Sequence, residues 1–150
     1  MENSKINLAN ELKPLLADLF MVYTKLRNYH WNVEGVYFYQ LHQLFEKLFN
    51  EFADDIDEVA ERIRILGVKA PGTLHEYINL AKVKELPGEY PDANEMIRNI
   101  INDFEYLKLE LNKLAKRSQN LFEDEVSAGL LYELVGKYEK HLWMIKMLDK

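Results

Sequence analysis

The chain has 150 residues, 48% of them hydrophobic and 29% charged, with no cysteine and a net charge of −6. That composition predicts one soluble domain over residues 1–150 and excludes a disulfide framework, a thiolate metal site and a cysteine nucleophile. No apolar run is long enough to span a membrane, and no signal or transit pattern follows Met1, so the expected location is the cytoplasm.

Apolar residues recur at helical spacing along most of the sequence. The first run is Leu12, Leu15, Leu16, Leu19, Tyr23, Leu26 and His30. Ahead of it stands a short segment with Lys5 as its one base and Glu2 nearby. Glu34-Gly35 interrupts the pattern. The second run is Leu41, Leu44, Phe45, Leu48, Phe49, Phe52, Ile56, Val59, Ala60 and Ile63. Gly67 is placed to cap it, because glycine adopts the left-handed conformation without steric cost.

Pro71-Gly72 then breaks the chain, and Thr73 with Glu76 makes a capping box for a short helix over about residues 74–80. Pro87-Gly88 and Pro91 mark the longest loop. Asp92 and Glu95 repeat the capping pattern before the third run, Ile97, Ile100, Ile101, Phe104, Leu107, Leu111 and Leu114. Ser118 to Asp124 is polar and reads as a turn into the fourth run, Leu130, Leu131, Leu134, Val135, Tyr138, Leu142 and Ile145. Four long helices and one short one predict an all-α four-helix bundle, the short helix lying between the second and third long ones. No glycine-rich phosphate loop is present.

The charge is unevenly placed. Between Gln43 and Glu61 stand seven acids (Glu46, Glu51, Asp54, Asp55, Asp57, Glu58 and Glu61) against one base, Lys47. Elsewhere 18 acids and 18 bases balance, so the whole net charge sits in that one segment, Gln43 to Glu61. The plain interpretation is a solvated helix face. An acidic chain without basic blocks is poorly suited to hold DNA by surface charge.

The usual di-iron bundle carries Glu-x-x-His on two helices. Here the residues three before His30, His42, His75 and His141 are Arg27, Tyr39, Gly72 and Tyr138, so that arrangement is not expected. A different set is possible. His30 and His42 lie twelve residues apart across the first connection, where a helix hairpin brings them together. Asp57 and Glu61 share one face of the second helix by their i, i+4 spacing.

His42 and Asp57 are separated along that helix by about 22 Å, far beyond metal–ligand bonds of about 2 Å. They are only about 60° apart around its axis. Two copies packed antiparallel about a two-fold axis near Asn50 would bring His42 of one to Asp57 and Glu61 of the other, an isologous contact. Glu46 lies on the same flank. The alternative is a hydrogen-bonded structural histidine and two solvated acids.

The run Leu26-Arg27-Asn28-Tyr29-His30-Trp31-Asn32-Val33-Glu34-Gly35, then Phe38, Leu41-His42 and Asp57-Glu58-Val59-Ala60-Glu61-Arg62-Ile63, resembles the Dps family, the mini-ferritins of starved cells. Lys140-His141-Leu142-Trp143-Met144 is similar to that family's last-helix motif, and the likeness spans roughly residues 10 to 148. The resemblance implies a ferritin-like hollow dodecamer with a ferroxidase site across its two-fold interfaces. Its ligands by position are His30 and His42 from one subunit and Asp57 and Glu61 from the neighbour, with Glu46 as an additional acid and Trp31 beside the site. A core tryptophan is the structural alternative for Trp31.

The implied substrates are Fe²⁺ and hydrogen peroxide, or oxygen, with ferric mineral kept in the cavity. Zinc or manganese suits the same N/O ligands. The resemblance also points to Glu123, Asp124 and Glu125 as acids of a pore through which iron passes. Stabilisation of the last helix's first turn is the alternative. Members that hold DNA often carry a lysine-rich tail, and Lys5 alone does not make one, so DNA binding is expected to be weak or absent.

His75 is expected to be exposed or capping. His141, Trp143, Met144 and Met147 read as core or subunit-contact residues. A non-catalytic helical shell or nucleoid protein is the competing class, and a maxi-ferritin is disfavoured by the missing Glu-x-x-His.

Overall fold

The computed structural model describes residues 2–149. Helix α1 spans Glu2–Asn32, α2 Phe38–Ile65, α3 Leu74–Leu80, α4 Ala93–Asn120 and α5 Glu125–Lys146, followed by a 3₁₀ turn at Met147–Asp149. No strand occurs among the described residues. The chain is all-helical, as its 3.6-residue periodicity requires.

Side-chain pairs fix the directions. Tyr23 meets Phe49 and His30 meets His42, so α1 and α2 run antiparallel. Lys25 bonds Asp103 at 2.7 Å and Asn99 donates to the Tyr29 hydroxyl at 3.0 Å, so α4 is antiparallel to α1. Lys137 and Tyr138 meet Asp55 while Arg62 meets Asp124, so α5 is antiparallel to α2. Helices α2 and α4 are therefore parallel. That order requires one long crossover, which residues 66–92 supply with α3 inside it.

The caps form where the sequence places them. Thr73 accepts from the Glu76 N–H at 3.2 Å and donates its hydroxyl to the Glu76 carboxylate at 2.8 Å. Asp92 accepts from the Glu95 N–H at 2.9 Å. Gly67 takes φ +100°, and Val68 N–H reaches back to the Ile63 carbonyl at 3.3 Å, ending α2.

Two boundaries differ from the expectation. The segment ahead of Leu12 is not a separate tail, because α1 is helical from Glu2 and runs through Pro14. Leu8, Ala9 and Leu12 are 1%, 0% and 1% exposed. Burying the two leucines contributes about 1.5–3 kcal/mol each, which offsets the roughly 3 kcal/mol cost of an interior proline. At the other boundary, α4 continues through Ser118 to Asn120, because the Ser118 hydroxyl bonds the Leu114 carbonyl at 2.7 Å within the helix.

Phe52, Phe104 and Tyr138 fill the bundle centre with mutual centroid distances of 5.2–5.5 Å. The Tyr138 hydroxyl, fully buried, donates to Asp55 at 2.8 Å, and Lys137 Nζ donates to the other Asp55 oxygen at 2.5 Å. Asp55 is 1% exposed. It is thus a core residue and not part of a solvated face, which corrects the uniform interpretation of the acidic run. Burial and the neighbouring Asp55 charge push the Tyr138 phenol well above its ordinary value, so it stays a donor.

Asp18 does similar work at the crossover. It is 2% exposed and accepts from the N–H groups of Lys82 and Val83 at 2.6 and 2.9 Å.

Asp55→Ala should lower the unfolding free energy by about 1–3 kcal/mol, the cost of an unsatisfied buried donor. Exposed Asp54→Ala should stay within about 0.5 kcal/mol of wild type. Urea unfolding at one fixed protein concentration measures both, and equal midpoints for the two variants would contradict this division.

Candidate metal centre

His30 closes the last turn of α1, and His42 lies in the second turn of α2. Five residues join the helices. Gly35 takes φ +115°, a conformation that a residue bearing Cβ rarely adopts, and the Phe38 N–H bonds the Gly35 carbonyl at 3.1 Å as α2 begins. The hairpin stacks the two imidazoles at 3.7 Å between centroids and 14° between planes.

Each histidine also bonds the other's backbone. His30 Nδ1 lies 2.7 Å from the His42 carbonyl, and His42 Nδ1 lies 2.7 Å from the His30 carbonyl. A carbonyl only accepts, so Nδ1 must carry the proton in both rings. In the neutral tautomer that leaves the two Nε2 atoms as bare acceptors, the form in which imidazole ligates a metal. Phe38 stacks on His42 at 5.1 Å, and Phe49 presents its edge to His30 at 5.2 Å. Both rings are thereby held from their flanks.

Asp57 and Glu61 lie elsewhere. Both are exposed on α2 and enter no hydrogen bond or ion pair among the described residues. The helix is unbroken from Phe38 to Ile65, so about 22 Å of axial rise separates His42 from Asp57. Within one chain the histidines come together and the carboxylates do not join them. No three of His, Asp and Glu are grouped to hold an ion among the described residues. Glu46, one turn beyond His42, is exposed and unpaired.

Trp31 is 63% exposed, which overturns the core alternative for it. Its ring stacks under the Arg27 guanidinium at 5.4 Å. Trp143, Met144 and Met147 are likewise 62%, 47% and 51% exposed and are not core residues. His141 is half-buried, with Nε2 2.5 Å from Glu51. His75 is exposed on α3.

The three acids near the last helix divide. Asp124 is the N-cap of α5, accepting from the Ser127 N–H at 2.9 Å and Ser127 hydroxyl at 2.7 Å, and pairing with Arg62 at 3.2 Å. Burial pushes its carboxyl up, but the Ser127 and Arg62 bonds outweigh that and hold it below the ordinary value. Asp124 is therefore engaged in capping. Glu123, at φ +53°, and Glu125 remain exposed. Sequence reasoning missed Arg27, a half-buried cation beside the histidine pair. Its one signal was its place a single turn before His30.

The Ferritin-like domain family matches residues 9–150. The DNA protection during starvation protein 2 of Bacillus anthracis is 39% identical, over 90% of this chain and 91% of that one. Among solved structures, a Dps protein from Bacillus brevis superposes with TM-score 0.93 at 33% identity, covering 99% of this chain and 98% of that one. A Dps protein from Vibrio cholerae, described as a ferritin-like diiron-carboxylate protein, gives TM-score 0.94 at 28% identity, covering 99% and 92%.

In the metal-free protein, the neutral form of both rings should carry its proton on Nδ1. Long-range ¹⁵N–¹H correlation of labelled histidine reads this directly, and an Nε2–H tautomer at either ring would overturn the assignment.

Proposed function

The chain belongs to the Dps family of ferritin-like proteins, and from that premise we propose that it is a ferroxidase and iron-storage protein whose site is shared between two subunits. The observation that carries this reading is the histidine pair, with both Nδ1–H groups spent on backbone carbonyls and both Nε2 atoms free. In this reading Asp57 and Glu61 of a neighbouring chain complete the donor set, with Glu46 adjacent. Two neutral imidazoles and two carboxylates suit iron.

Iron is the substrate. The carboxylates favour Fe³⁺ over Fe²⁺ by adding negative charge where positive charge grows. Each of two Fe²⁺ ions gives one electron to hydrogen peroxide. The O–O bond breaks, two protons are taken up, and two waters leave. Paired electron transfer avoids releasing a hydroxyl radical. Oxygen is the slower alternative oxidant, and zinc or manganese would compete for the same donors. The ferric product is stored as mineral inside a dodecameric shell. Exposed Glu123 and Glu125 are the acids left to line a pore.

Protection of DNA follows, in this reading, from removing Fe²⁺ and peroxide and not from contact. The first residues are helical from Glu2, Lys5 is their one base, and the chain is acidic overall. No described helix is long and apolar enough to cross a membrane, and the proposed setting is the cytoplasm.

Stopped-flow oxidation of Fe²⁺ by peroxide tests the site. His30→Ala and His42→Ala should each abolish the rapid phase, since each removes an imidazole proposed to hold the iron, while circular dichroism stays helical. Wild-type kinetics in both variants would refute the site, and a wild-type protein that never turns over iron would favour a purely structural shell. A gel mobility shift at about 150 mM salt should show no tight DNA complex.

A further inference from the structure

Arg27 carries a charge that the chain itself does not balance. Its guanidinium lies 4.4 Å from the Phe49 ring centroid, 5.4 Å from Trp31 and 5.7 Å from Tyr23. One nitrogen donates to the Tyr23 hydroxyl at 3.2 Å. Arg27 forms no ion pair among the described residues, although it is half-buried. Three rings thus fix the group in place while leaving donors of its planar fork unused.

The unmatched acids stand on the neighbouring helix. Glu46, Asp54, Asp57 and Glu61 are exposed on α2 and unpaired in the chain, whereas Asp55 is buried and Glu58 lies within the field of Lys137. The arrangement of the proposed function, on which this inference rests, packs two α2 helices antiparallel about Asn50. A two-fold axis of that kind brings equivalent flanks together. Arg27 stands beside Phe49, between the levels of His42 and Asn50. The partner's residues at that level run from about 51 to 57. On the flank shared with His42, the acid among them is Asp57, which lies about 60° around the axis from His42. Asp54 lies about 120° around the axis from His42, farther from the histidine flank than Asp57.

We propose that Arg27 is a positioning residue of the shared site: its ring-stacked guanidinium donates to the partner's Asp57 and holds that carboxylate against the histidine pair. A carboxylate has two oxygens, so one can accept from Arg27 while the other faces the iron. Ligating carboxylates are commonly held in this way by a second hydrogen bond. The contact also neutralises part of the acidic charge that two facing α2 helices would otherwise set against each other. It covers Trp31, leaving less of that ring in water.

The test uses the full-length protein and two readouts. The first is metal-free subunit association, followed by analytical ultracentrifugation across a salt series, for Arg27→Gln, Asp57→Asn and the double variant. Each single change should weaken association and flatten its salt dependence, and the double should be no weaker than the worse single. Additive losses would overturn the pairing, as would coupling of Arg27 to Glu46 instead, or a wild-type chain that stays monomeric.

The second readout is Fe²⁺ oxidation by peroxide. Arg27→Gln should raise the half-saturating Fe²⁺ concentration about 10–100-fold with less change in maximal rate. Arg27→Lys should recover part of it, since the charge returns without the planar fork. Unchanged half-saturation in Arg27→Gln overturns the inference even if His42→Ala abolishes oxidation. Coupling in the metal-free cycle, with no iron turnover by wild type, would instead remove the ferroxidase reading and leave the Arg27–Asp57 contact standing.

Discussion

A helix cannot bring its own ends together, and α2 is one unbroken helix of 28 residues. Its nitrogen ligand candidate stands in the second turn and its oxygen candidates in the last third. The rise per residue, about 1.5 Å, makes that separation many times a coordination bond. Every other feature of the proposed site answers this constraint. The hairpin with α1 supplies a second imidazole at the near end. In the proposed site a second chain supplies the carboxylates from the far end.

The hairpin meets its half of the task with backbone chemistry. The two histidines exchange hydrogen bonds with each other's carbonyl groups, so the tautomer of each ring is set by the same turn that brings them together. The orientation does not depend on a second carboxylate or on bound metal. Free Nε2 atoms are then a consequence of the fold. The bundle core beneath is built to hold α2 in register: Phe52, Phe104 and Tyr138 pack its centre, and Asp55 ties its buried face to α5.

The helices were legible because their signals are local. Apolar spacing, Thr73, Asp92 and Gly67 each act within a turn or two of their own position. The histidine pair was legible for a related reason, since twelve residues across a glycine-containing turn leave few other arrangements. Asp54 and Asp55 show where such reading stops. They are adjacent acids in one charged run, yet one is exposed and the other is 1% exposed. The difference is made by Lys137 and Tyr138, more than eighty residues away. Asp18 is the same case, defined by backbone groups of the distant crossover. The apolar run read from Leu12 misses the start of α1, because the burial of Leu8 and Ala9 comes from tertiary packing.

The exposed residues carry the complementary lesson. Trp31 in the first hairpin and Trp143 on α5 are large apolar side chains that the folded chain leaves more than half in water. A single chain therefore presents both excess acid, along α2, and exposed apolar surface, at Trp31 beside the first hairpin and at Trp143. Charge alone would drive two such helices apart, because like faces meet at a two-fold axis. Iron placed between them is one way to reverse the sign of that interaction. A fixed arginine at the rim is another, and it acts before any iron arrives. Arg27 is suited to that work because aromatic rings hold its guanidinium without consuming its charge.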